Sequence, residues 1–331
     1  MVGVFMHCPV CDGDSFVPGR EVFDDRYGEP HLYRLAYCAG CGHIATKPRL
    51  NEADLPSLYG AYYPRKKINA GAIIREATGV EQSFSSLKRW WNGTDNQGQY
   101  DARAGEVVLD VGCGSGASLL EARALGATAF GIEADPNVKP IAEALGLNIH
   151  FGSLQDHPFP EHTFDLIVLN QVIEHLPDPD LALRALRQRL KPRGRIVLVF
   201  PNTASLWRRV WGDRWINWHI PYHLHHFDLK RFSQMAKRCG FLVSRHRTIT
   251  PNVWTLLQLR AMRHKPVLGV LSPLWSVPDE GGSLDPVDRK RNFLRSLAGA
   301  GARGLFAIIN RIVDTLGLGD SLFVVLRNDM E

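Results

Sequence analysis

Short apolar runs alternate with amphipathic stretches through the last two thirds of the chain. Runs of three to seven mainly apolar residues predict strands that are buried on both faces, as in parallel sheets. Stretches with apolar residues at helical spacing lie between them and predict helices. Strand followed by helix, repeated along the chain, indicates an α/β fold. The predicted strands are 107–109, 129–134, 148–151, 164–170, 195–200, 241–248 and 322–327, and the predicted helices are 117–125, 137–145, 182–190 and 228–239.

A glycine-rich turn follows the first of these strands. Asp110 ends the strand, and Gly112, Gly114 and Gly116 come next, before the helix begins near Ala117. Glycine lets the backbone turn tightly and approach a ligand closely. A strand, a glycine turn and a helix in this order are typical of half of a nucleotide-cofactor site. The Gly-x-Gly-x-Gly pattern alone also fits a plain tight turn.

An acidic residue at the end of the second strand strengthens this interpretation. Glu133 lies roughly twenty residues after the glycine turn. This architecture places an acid that binds a ribose at about that spacing. An ordinary solvated surface glutamate is the alternative. The position at a strand end favours the ribose-binding acid.

The two segments together resemble a known family. The sequences Val-Leu-Asp-Val-Gly-Cys-Gly-Ser-Gly at 108–116 and Gly-Ile-Glu-Ala-Asp at 131–135 are similar to the cofactor signature of class I S-adenosylmethionine-dependent methyltransferases. The resemblance extends over about 103–205. It implies a doubly wound, seven-stranded Rossmann-like sheet, with S-adenosylmethionine as methyl donor and S-adenosylhomocysteine as product.

The resemblance also implies roles for individual residues. Family members commonly carry an acid beside the adenine where this chain has Ser153, so the backbone amide of Leu154 is the alternative contact there. The implied cofactor residues are Asp110, Gly112, Gly114 and Gly116 for the methionine end, Glu133 for the ribose, Ser153 and Leu154 for the adenine, and Asn170 at the end of the fourth strand.

Four of the six cysteines form two Cys-x-x-Cys pairs, with 26 residues between the pairs. In a reducing compartment this spacing favours a closed, structural zinc site with four thiolate ligands. Two unrelated buried pairs are the alternative. Four thiolates complete the site, so the neighbouring His7 and His43 are expected at the surface. The predicted zinc ligands are Cys8, Cys11, Cys38 and Cys41.

These patterns divide the chain into three parts. We expect a zinc ribbon at 1–50, a linker and helical cap at 51–102, and the methyltransferase domain at 103–331. A helical insertion at about 250–318, before the last strand, carries interleaved basic residues. Such helices suit a membrane surface, and a lid or a dimer face is an equal alternative. In the second part, Tyr62, Tyr63, Trp90 and Trp91 either line a cap over the cofactor or only join the ribbon to the core.

The segment 207–227 is unusually rich in aromatic residues, with four tryptophans and four histidines. Its place after the fifth strand suggests a wall of the substrate pocket. Neutral histidine can remove the proton of a hydroxyl acceptor near pH 7, and His223 and His226 are the candidates. A metal site is a second interpretation, but no matching carboxylate or cysteine cluster accompanies the histidines in the sequence. The third is packing against the helix that Asp228 is suited to cap.

Composition limits the classes of protein that remain. The chain has 331 residues, of which 45% are hydrophobic and 22% charged, as in ordinary globular proteins. A formal net charge of +5 permits an anionic partner without requiring one. The sequence contains no long apolar span and no recognisable signal peptide, so we expect a cytoplasmic protein, with peripheral membrane contact through the insertion left open.

The sequence favours methyl transfer to a hydroxyl of a small-molecule or lipid-linked metabolite. The segment 221–227 resembles quinone and natural-product O-methyltransferases. Asn-Gln-Val-Ile at 170–173 differs from the Asn/Asp-Pro-Pro-Tyr turn of enzymes that methylate base amines, which makes a nucleic-acid partner unexpected. Three alternatives stay open: a sugar C- or N-methyltransferase of a natural-product pathway, an RNA methyltransferase, and a non-catalytic S-adenosylmethionine-binding protein. A homodimer is also left open.

Overall fold

Two β-sheets and the helices packed on them make up the part of the chain that the structure describes. The structure is a computed structural model, and it describes residues 7–63, 86–156, 158–275 and 304–329. The strands are β1 (Phe16–Phe23), β2 (Leu32–Cys38), β3 (Ile44–Lys47), β4 (Val107–Val111), β5 (Thr128–Glu133), β6 (Asn148–Phe151), β7 (Phe164–Asn170), β8 (Leu190–Pro201), β9 (His225–His226), β10 (Phe241–Ile249) and β11 (Ser321–Asn328).

The helices cover the faces of the larger sheet and fill the connections. Asp228 caps one of them as the sequence predicts, because its side chain accepts a hydrogen bond from the backbone N–H of Arg231. The α-helices are α1 (Leu55–Ala61), α2 (Ser86–Asn92), α3 (Ala117–Ala124), α4 (Lys139–Ala144), α5 (Pro179–Arg189), α6 (Leu206–Trp211), α7 (Leu229–Arg238), α8 (Asn252–Ala261) and α9 (304–315).

The larger sheet has seven strands in the order β10-β11-β8-β7-β4-β5-β6. Strands β4 to β8 pair in parallel, and β11 runs antiparallel to both β8 and β10. This confirms the predicted seven-stranded, doubly wound sheet. The chain turns from one half of the sheet to the other at β4, whose neighbours are β7 and β5. Ligands of open α/β sheets bind at such a switch point, beyond the carboxyl ends of the strands.

The central strands are buried on both faces, which explains their nearly continuous apolar sequences. Alternate residues point to opposite sides of the sheet. Leu109, Ile167 and Leu198 belong to the core on one face, whereas Val108 and Val168 belong to the core on the other. Helical layers on both sides therefore fix the sheet, and the polar residues at the strand ends take their positions from it.

The smaller sheet joins the ribbon to the other domain. Its order is β1-β2-β3-β9, so three strands come from the cysteine-rich segment and the fourth comes from the histidine-rich segment far along the chain. Ile44 pairs with His226 and Ala45 with His225 in an antiparallel ladder. The backbone N–H of Thr46 also donates to the carbonyl of Leu224 at 3.0 Å.

The added strand corrects one expectation from the sequence. His43 is fully buried and does not lie at the surface, because β9 and the following residue cover it. Its Nε2 lies 3.0 Å from Nδ1 of His225, and its ring stacks on Phe227 with 4.9 Å between centroids. His7 is exposed, as expected.

The linker and the insertion are described in part. Of the helix predicted over about 73–91, the structure describes α2, and residues 64–85 lie outside the described residues. The insertion is described as α8 and α9, whereas its Gly-rich break at 281–286 and the basic residues of 289–303 lie outside. Among the described helices, none combines the length and the apolar character needed to cross a membrane.

Two aromatic residues considered for the cap make contacts with the insertion. Trp90 and Trp91 are each 41% exposed, and the guanidinium of Arg311 lies 6.0 Å from the centre of the Trp90 ring. The carbonyl of Trp90 accepts a hydrogen bond from Arg311, and the carbonyl of Trp91 accepts one from Asn252 at 2.9 Å. Helix α2 therefore ties the start of the large domain to α8 and α9.

Replacing Thr46 by valine should weaken the connection between the two sheets. The buried hydroxyl of Thr46 donates to the carbonyl of His223 at 2.7 Å and lies 3.0 Å from Nε2 of His226. Valine keeps the shape but leaves both buried partners unsatisfied, so we expect Thr46→Val to lower the free energy of unfolding by about 1–3 kcal/mol. Urea denaturation would measure the loss.

Thr315→Val is the matched control. The hydroxyl of Thr315 is exposed and bonds only the carbonyl of Ile312 in its own helix. We expect this substitution to change the free energy of unfolding by less than about 0.5 kcal/mol. Equal losses in the two variants would contradict a stabilising role for the Thr46 contact.

Candidate active site

The glycine turn after β4 has a backbone that other residues adopt only with strain. Gly112, Gly114 and Gly116 have φ values of +70°, +53° and +81°. A Cβ on Gly112 would lie 2.7 Å from Cγ2 of Val172, and one on Gly116 would lie 2.3 Å from Cδ1 of Leu147. At Gly114 a Cβ would meet nothing within 4 Å among the described residues. The turn therefore packs tightly at both ends and leaves room at its middle, where a ligand can approach the backbone.

Asp110 lies beneath this turn as a buried carboxylate. It is 3% exposed, and Oδ2 accepts a hydrogen bond from the hydroxyl of Ser118. Within the described part of the chain, Oδ1 has no hydrogen-bond partner. Burial raises the pKa of Asp110 to about 7, the bond from Ser118 opposes this rise, and the charges of Glu133 and Glu121 add to it. A cationic group bound here would satisfy Oδ1 and favour the ionised carboxylate.

Glu133 connects the two loops at the carboxyl edge of the sheet. Its Oε2 accepts the backbone N–H of Gly114 at 2.8 Å, and its Oε1 accepts the N–H of Asp135 at 2.8 Å. The carboxylate therefore stands beside the open middle of the glycine turn. Its remaining lone pairs suit the two hydroxyls of a ribose, which is the role that the sequence predicts.

Asn170, at the end of β7, is already engaged by the segment before β4. Its Oδ1 accepts the backbone N–H of Gly98 at 2.7 Å, and its Nδ2 donates to Oε1 of Gln99 at 2.8 Å. Leu154 is buried, whereas the hydroxyl of the exposed Ser153 donates to Asp156 at 2.7 Å. The structure thus brings Asp110, the glycine turn and Glu133 together, and it turns the Ser153 hydroxyl toward a neighbour in its own loop.

A tyrosine–histidine cluster lies next to this edge. It is assembled from the ribbon, from the linker at α1 and its end, and from the loops after β7 and α6. Neighbouring rings in it have centroids between 4.6 and 6.2 Å apart. The members of the tyrosine–histidine cluster are Tyr27, Tyr59, Tyr63, Tyr222, His175, His219 and His223.

The ribbon contributes Tyr27 through a loop that one side chain shapes. The carboxylate of Asp24 accepts the backbone N–H groups of Arg26, Tyr27 and Glu29 at 2.9–3.1 Å. These bonds bend the loop between β1 and β2 and direct it toward the large domain. The Tyr27 ring then packs edge-on against Tyr222, with 5.4 Å between centroids.

The cluster is close to the cofactor edge. Val172, which packs on Gly112, lies two residues before Glu174, and Glu174 is adjacent to His175 in the chain. The pKa of Tyr59 is raised by burial first and then by Tyr63, Glu174 and Glu133. Tyr59 therefore lies within electrostatic reach of both the cluster and the ribose-binding acid.

The histidines of the cluster are neutral at pH 7, because burial disfavours the imidazolium form. Burial lowers the pKa of His175 to about 4 and holds those of His219 and His223 well below 6.5. A cavity of about 640 Å³ between the ribbon, the tryptophan-rich loop and the end of α8 reaches His219. The neutral ring of His219 thus borders a space that a small molecule can occupy.

The two histidines predicted as bases have different surroundings. His223 belongs to the tyrosine–histidine cluster. His226 belongs to the ribbon sheet, where its Nε2 faces the Thr46 hydroxyl and its ring packs edge-on against Trp218 at 5.1 Å. Burial also lowers the pKa of His226, to about 3.

A residue that the sequence interpretation passed over is Glu174. It is 1% exposed, and its carboxylate lies 3.9 Å from Nε2 of His223. The backbone N–H of Leu224 donates to the carbonyl of Glu174 at 2.8 Å, which holds the histidine loop against the end of β7. The only sequence signal was a Glu-His pair after a predicted strand, and 48 residues separate that carboxylate from His223.

Comparisons with known proteins agree with the geometry of the cofactor edge. Residues 87–246 match a family model described as a methyltransferase domain. The chain contains an S-adenosylmethionine-dependent methyltransferase domain. It is similar to the ubiquinone biosynthesis O-methyltransferase of Xanthomonas oryzae pv. oryzae, with 29% identity over 183 residues, 48% of this chain and 76% of the relative.

Two further similar proteins are a second curated relative and a solved structure. The ubiquinone biosynthesis O-methyltransferase of Pseudomonas putida is 33% identical over 141 residues, which are 39% of this methyltransferase and 59% of the relative. An S-adenosylmethionine-dependent methyltransferase from Mesorhizobium loti has a TM-score of 0.43 and 15% identity, over 72% of this chain and 97% of that chain.

The ribbon of the methyltransferase brings its four paired cysteines together. Their sulfurs lie within 4.8 Å of one another, with 3.6 Å between Cys8 and Cys41 and 3.5 Å between Cys11 and Cys38. Burial alone would raise the pKa of Cys38, but the backbone N–H of Cys41, the Cys11 thiol and other donors lower it to about 7. The cluster is consistent with zinc binding, which needs thiolates.

The pH dependence of stability should reveal the buried carboxyl of Asp110. Between its ordinary pKa near 4 and about 7, folded Asp110 keeps a proton that the unfolded chain releases. The folded state then binds more protons, so the free energy of unfolding falls as pH rises, by at most about 1.4 kcal/mol per pH unit. In ligand-free protein, stability relative to Asp110→Asn should decrease from about pH 4 to about pH 7.

Urea unfolding of both proteins across this range gives the comparison. Acids remote from Asp110 titrate equally in the two proteins, so the difference between them reports Asp110 together with its coupling to Glu133 and Glu121. Parallel stability curves from pH 4 to pH 8 would contradict a raised pKa at this residue.

Replacing Cys38 by serine should remove metal from the ribbon. A serine hydroxyl at this position is a poor zinc ligand, and a structural zinc site contributes directly to folding. We expect Cys38→Ser to lose about one equivalent of zinc, measured by elemental analysis, and to unfold at lower urea concentration. Cys239→Ala is the control, because Cys239 is buried outside the four-cysteine cluster and its thiol donates a hydrogen bond to the carbonyl of Asp180. Zinc retained in Cys38→Ser, or absent from the parent protein, would contradict the assignment.

Proposed function

We propose that this methyltransferase transfers the methyl group of S-adenosylmethionine to a hydroxyl oxygen of a small-molecule or lipid-linked metabolite. The observation that carries the proposal is the buried tyrosine–histidine cluster beside the glycine turn. Aromatic walls suit an apolar or ring-shaped acceptor, and neutral histidines suit the loss of a hydroxyl proton. The relatives named as ubiquinone biosynthesis O-methyltransferases support an oxygen acceptor.

The residues at the carboxyl edge fit the proposed cofactor. When bound, S-adenosylmethionine supplies an electrophilic methyl group on a sulfonium. Asp110 has an oxygen free to accept from the ammonium of the methionine end, the middle of the glycine turn is open, and Glu133 faces that opening. Leu154 lies at the end of the neighbouring strand, where an adenine would pack. These residues bind and orient, so the protein mainly aligns the reacting groups and excludes water.

The acceptor side has to bind a hydroxyl compound and take up its proton. The cavity that reaches His219 offers the approach. In our proposal, the tyrosine rings exclude water, and an imidazole of the cluster receives the proton that the hydroxyl loses. His223 fits this role better than His226, because His226 points into the ribbon sheet toward Thr46.

The remaining assignments follow from the two sheets. We propose that 1–50 is a ribbon with a structural zinc ion, that 51–102 is a linker, and that 103–331 is the methyltransferase domain with its insertion. In this arrangement zinc stabilises the ribbon, and the ribbon in turn supports the histidine loop through β3 and β9.

The test is transfer of a ¹³C-labelled methyl group into an extract of the host. After incubation, the extract is divided into organic-soluble, aqueous small-molecule and RNA fractions, and ¹³C NMR distinguishes O-methyl, N-methyl and C-methyl carbons. We expect an O-methyl signal in one of the two metabolite fractions. Label in RNA, N-methyl or C-methyl products, or no label in any fraction would overturn the proposal.

Three variants make the assay specific to the site. Asp110→Ala should abolish transfer together with cofactor binding. His223→Ala should keep cofactor binding and lower the rate by about 100-fold or more, the usual effect of losing acid–base chemistry. His226→Ala, from the same loop, should lower the rate by much less. Equal effects of the two histidine variants would count against the distinction between them.

A further inference from the structure

We propose that Glu174, His175 and His223 form a second metal site, which binds one divalent transition-metal ion such as Zn²⁺, Fe²⁺ or Mn²⁺ beside the acceptor cavity. This site is separate from the four cysteines of the ribbon. Its donors are one carboxylate oxygen and two imidazole nitrogens, a set that suits these borderline ions better than Mg²⁺ or Ca²⁺.

The three side chains converge. One ligand atom from each lies within 4.8 Å of the other two, and Oε1 of Glu174 is 3.9 Å from Nε2 of His223. In a tetrahedral zinc site with bonds of about 2.1 Å, neighbouring ligand atoms lie about 3.4 Å apart. Side-chain movements on the order of 1 Å would therefore close the site around an ion.

The hydrogen bonds of both histidines leave Nε2 as the nitrogen available to an ion. Nδ1 of His223 lies 2.9 Å from the carbonyl oxygen of Asn217, and Nδ1 of His175 lies 2.9 Å from the carbonyl oxygen of Tyr222. A carbonyl accepts and cannot donate, so each Nδ1 carries the hydrogen, and the Tyr59 oxygen, 2.9 Å from Nδ1 of His175, is a second acceptor there. Each Nε2 then has a lone pair. Nε2 of His223 also lies 3.3 Å from Nδ1 of His219, a contact that a bound ion would replace. Backbone carbonyls hold metal-binding histidines in this way, which fixes the ring and the tautomer.

The surroundings of Glu174 favour a bound cation. The side chain is 1% exposed, and neither carboxylate oxygen has a hydrogen-bond partner among the described residues. A buried carboxylate without a partner is costly, and native proteins normally pair such groups or use them to bind a metal. The imidazoles beside it, those of His175 and His223, are neutral here. A divalent cation would neutralise the carboxylate and occupy both imidazole lone pairs.

The position of the site gives the ion a role, and this part rests on the proposed function. Val172, on the same turn as Glu174, packs against Gly112. His219 is next to His223, with 3.3 Å between ring nitrogens, and it also lines the acceptor cavity. Three protein ligands leave a coordination position for the acceptor oxygen. An oxygen bound to the ion loses its proton more readily. In the metal-loaded protein Nε2 of His219, which has no partner among the described residues, would receive that proton in place of His223, because Nε2 of His223 would hold the ion.

Cobalt(II) titration of the full-length protein, with zinc kept in the ribbon, tests the site directly. Cobalt bound by nitrogen and oxygen gives visible d–d bands without the thiolate charge-transfer bands of a four-cysteine site, so the two sites are distinguishable. We expect about one equivalent of cobalt to bind and to give the d–d bands without thiolate charge-transfer bands. Glu174→Gln and His223→Ala should each weaken this binding at least tenfold and leave the zinc content of the ribbon unchanged.

His225→Asn is the matched control. His225 is buried in the same loop, but its ring nitrogens face His43 at 3.0 Å and the carbonyl of Pro177 at 3.1 Å, so it offers no lone pair to the site. Cobalt binding should persist in this variant. If Glu174→Gln or His223→Ala fails to fold, NMR of the cobalt-loaded parent protein tests the site instead. Two histidine ring N–H protons, one from each histidine ligand, should show large paramagnetic shifts.

Absence of the d–d spectrum in the parent protein at millimolar cobalt would overturn the second metal site. Unchanged cobalt affinity in both variants would overturn it as well. Neither result depends on methyl transfer, so the proposed function can stand while the metal site fails. Cobalt binding without any labelled product would support the second metal site and overturn the proposed function.

Discussion

The pairing of β3 with β9 is the contact on which the arrangement of this protein depends. It joins a cysteine-rich ribbon to a loop of the methyltransferase domain as one continuous sheet, so the two parts cannot move independently. Backbone hydrogen bonds alone would allow a change of register in so short a strand. The register is fixed by side chains on both sides of it: Thr46 bonds the carbonyl of His223, and His43 pairs with His225. The acceptor side takes its shape from this junction.

The large sheet was predictable because local sequence and tertiary structure agree there. Strands such as Phe164–Asn170 are apolar on both faces, and each is followed by a turn or a helix with recognisable ends. The glycine turn was predictable for a similar reason, since the positive φ angles at Gly112, Gly114 and Gly116 exclude most other residues. Such constraints act within a few residues, and sequence patterns record them directly.

The acceptor side was much less predictable because its contacts are long-range. The four-cysteine site suggested that His43 would be a surface residue, and nothing nearby in the sequence indicates the strand that covers it. Glu174 looked like part of an ordinary turn until the fold placed it against His223. Tyr27 and Tyr59 come from different segments, and both pack against Tyr63 and Tyr222. Periodicity cannot detect such pairs, since they depend on how loops fold over one another.

The loop that Asp24 shapes has a consequence for how this enzyme could diversify. It delivers Tyr27 from the ribbon to the tyrosine–histidine cluster, whereas Asp110, the glycine turn and Glu133 belong to the large sheet and its loops. Changes in the length or sequence of this one hairpin would alter which molecules fit without disturbing the methyl donor. In the proposed function, a module that looks like a stabilising appendage would therefore take part in selecting the acceptor. Exchanging ribbons between related enzymes would then transfer acceptor preference along with the metal.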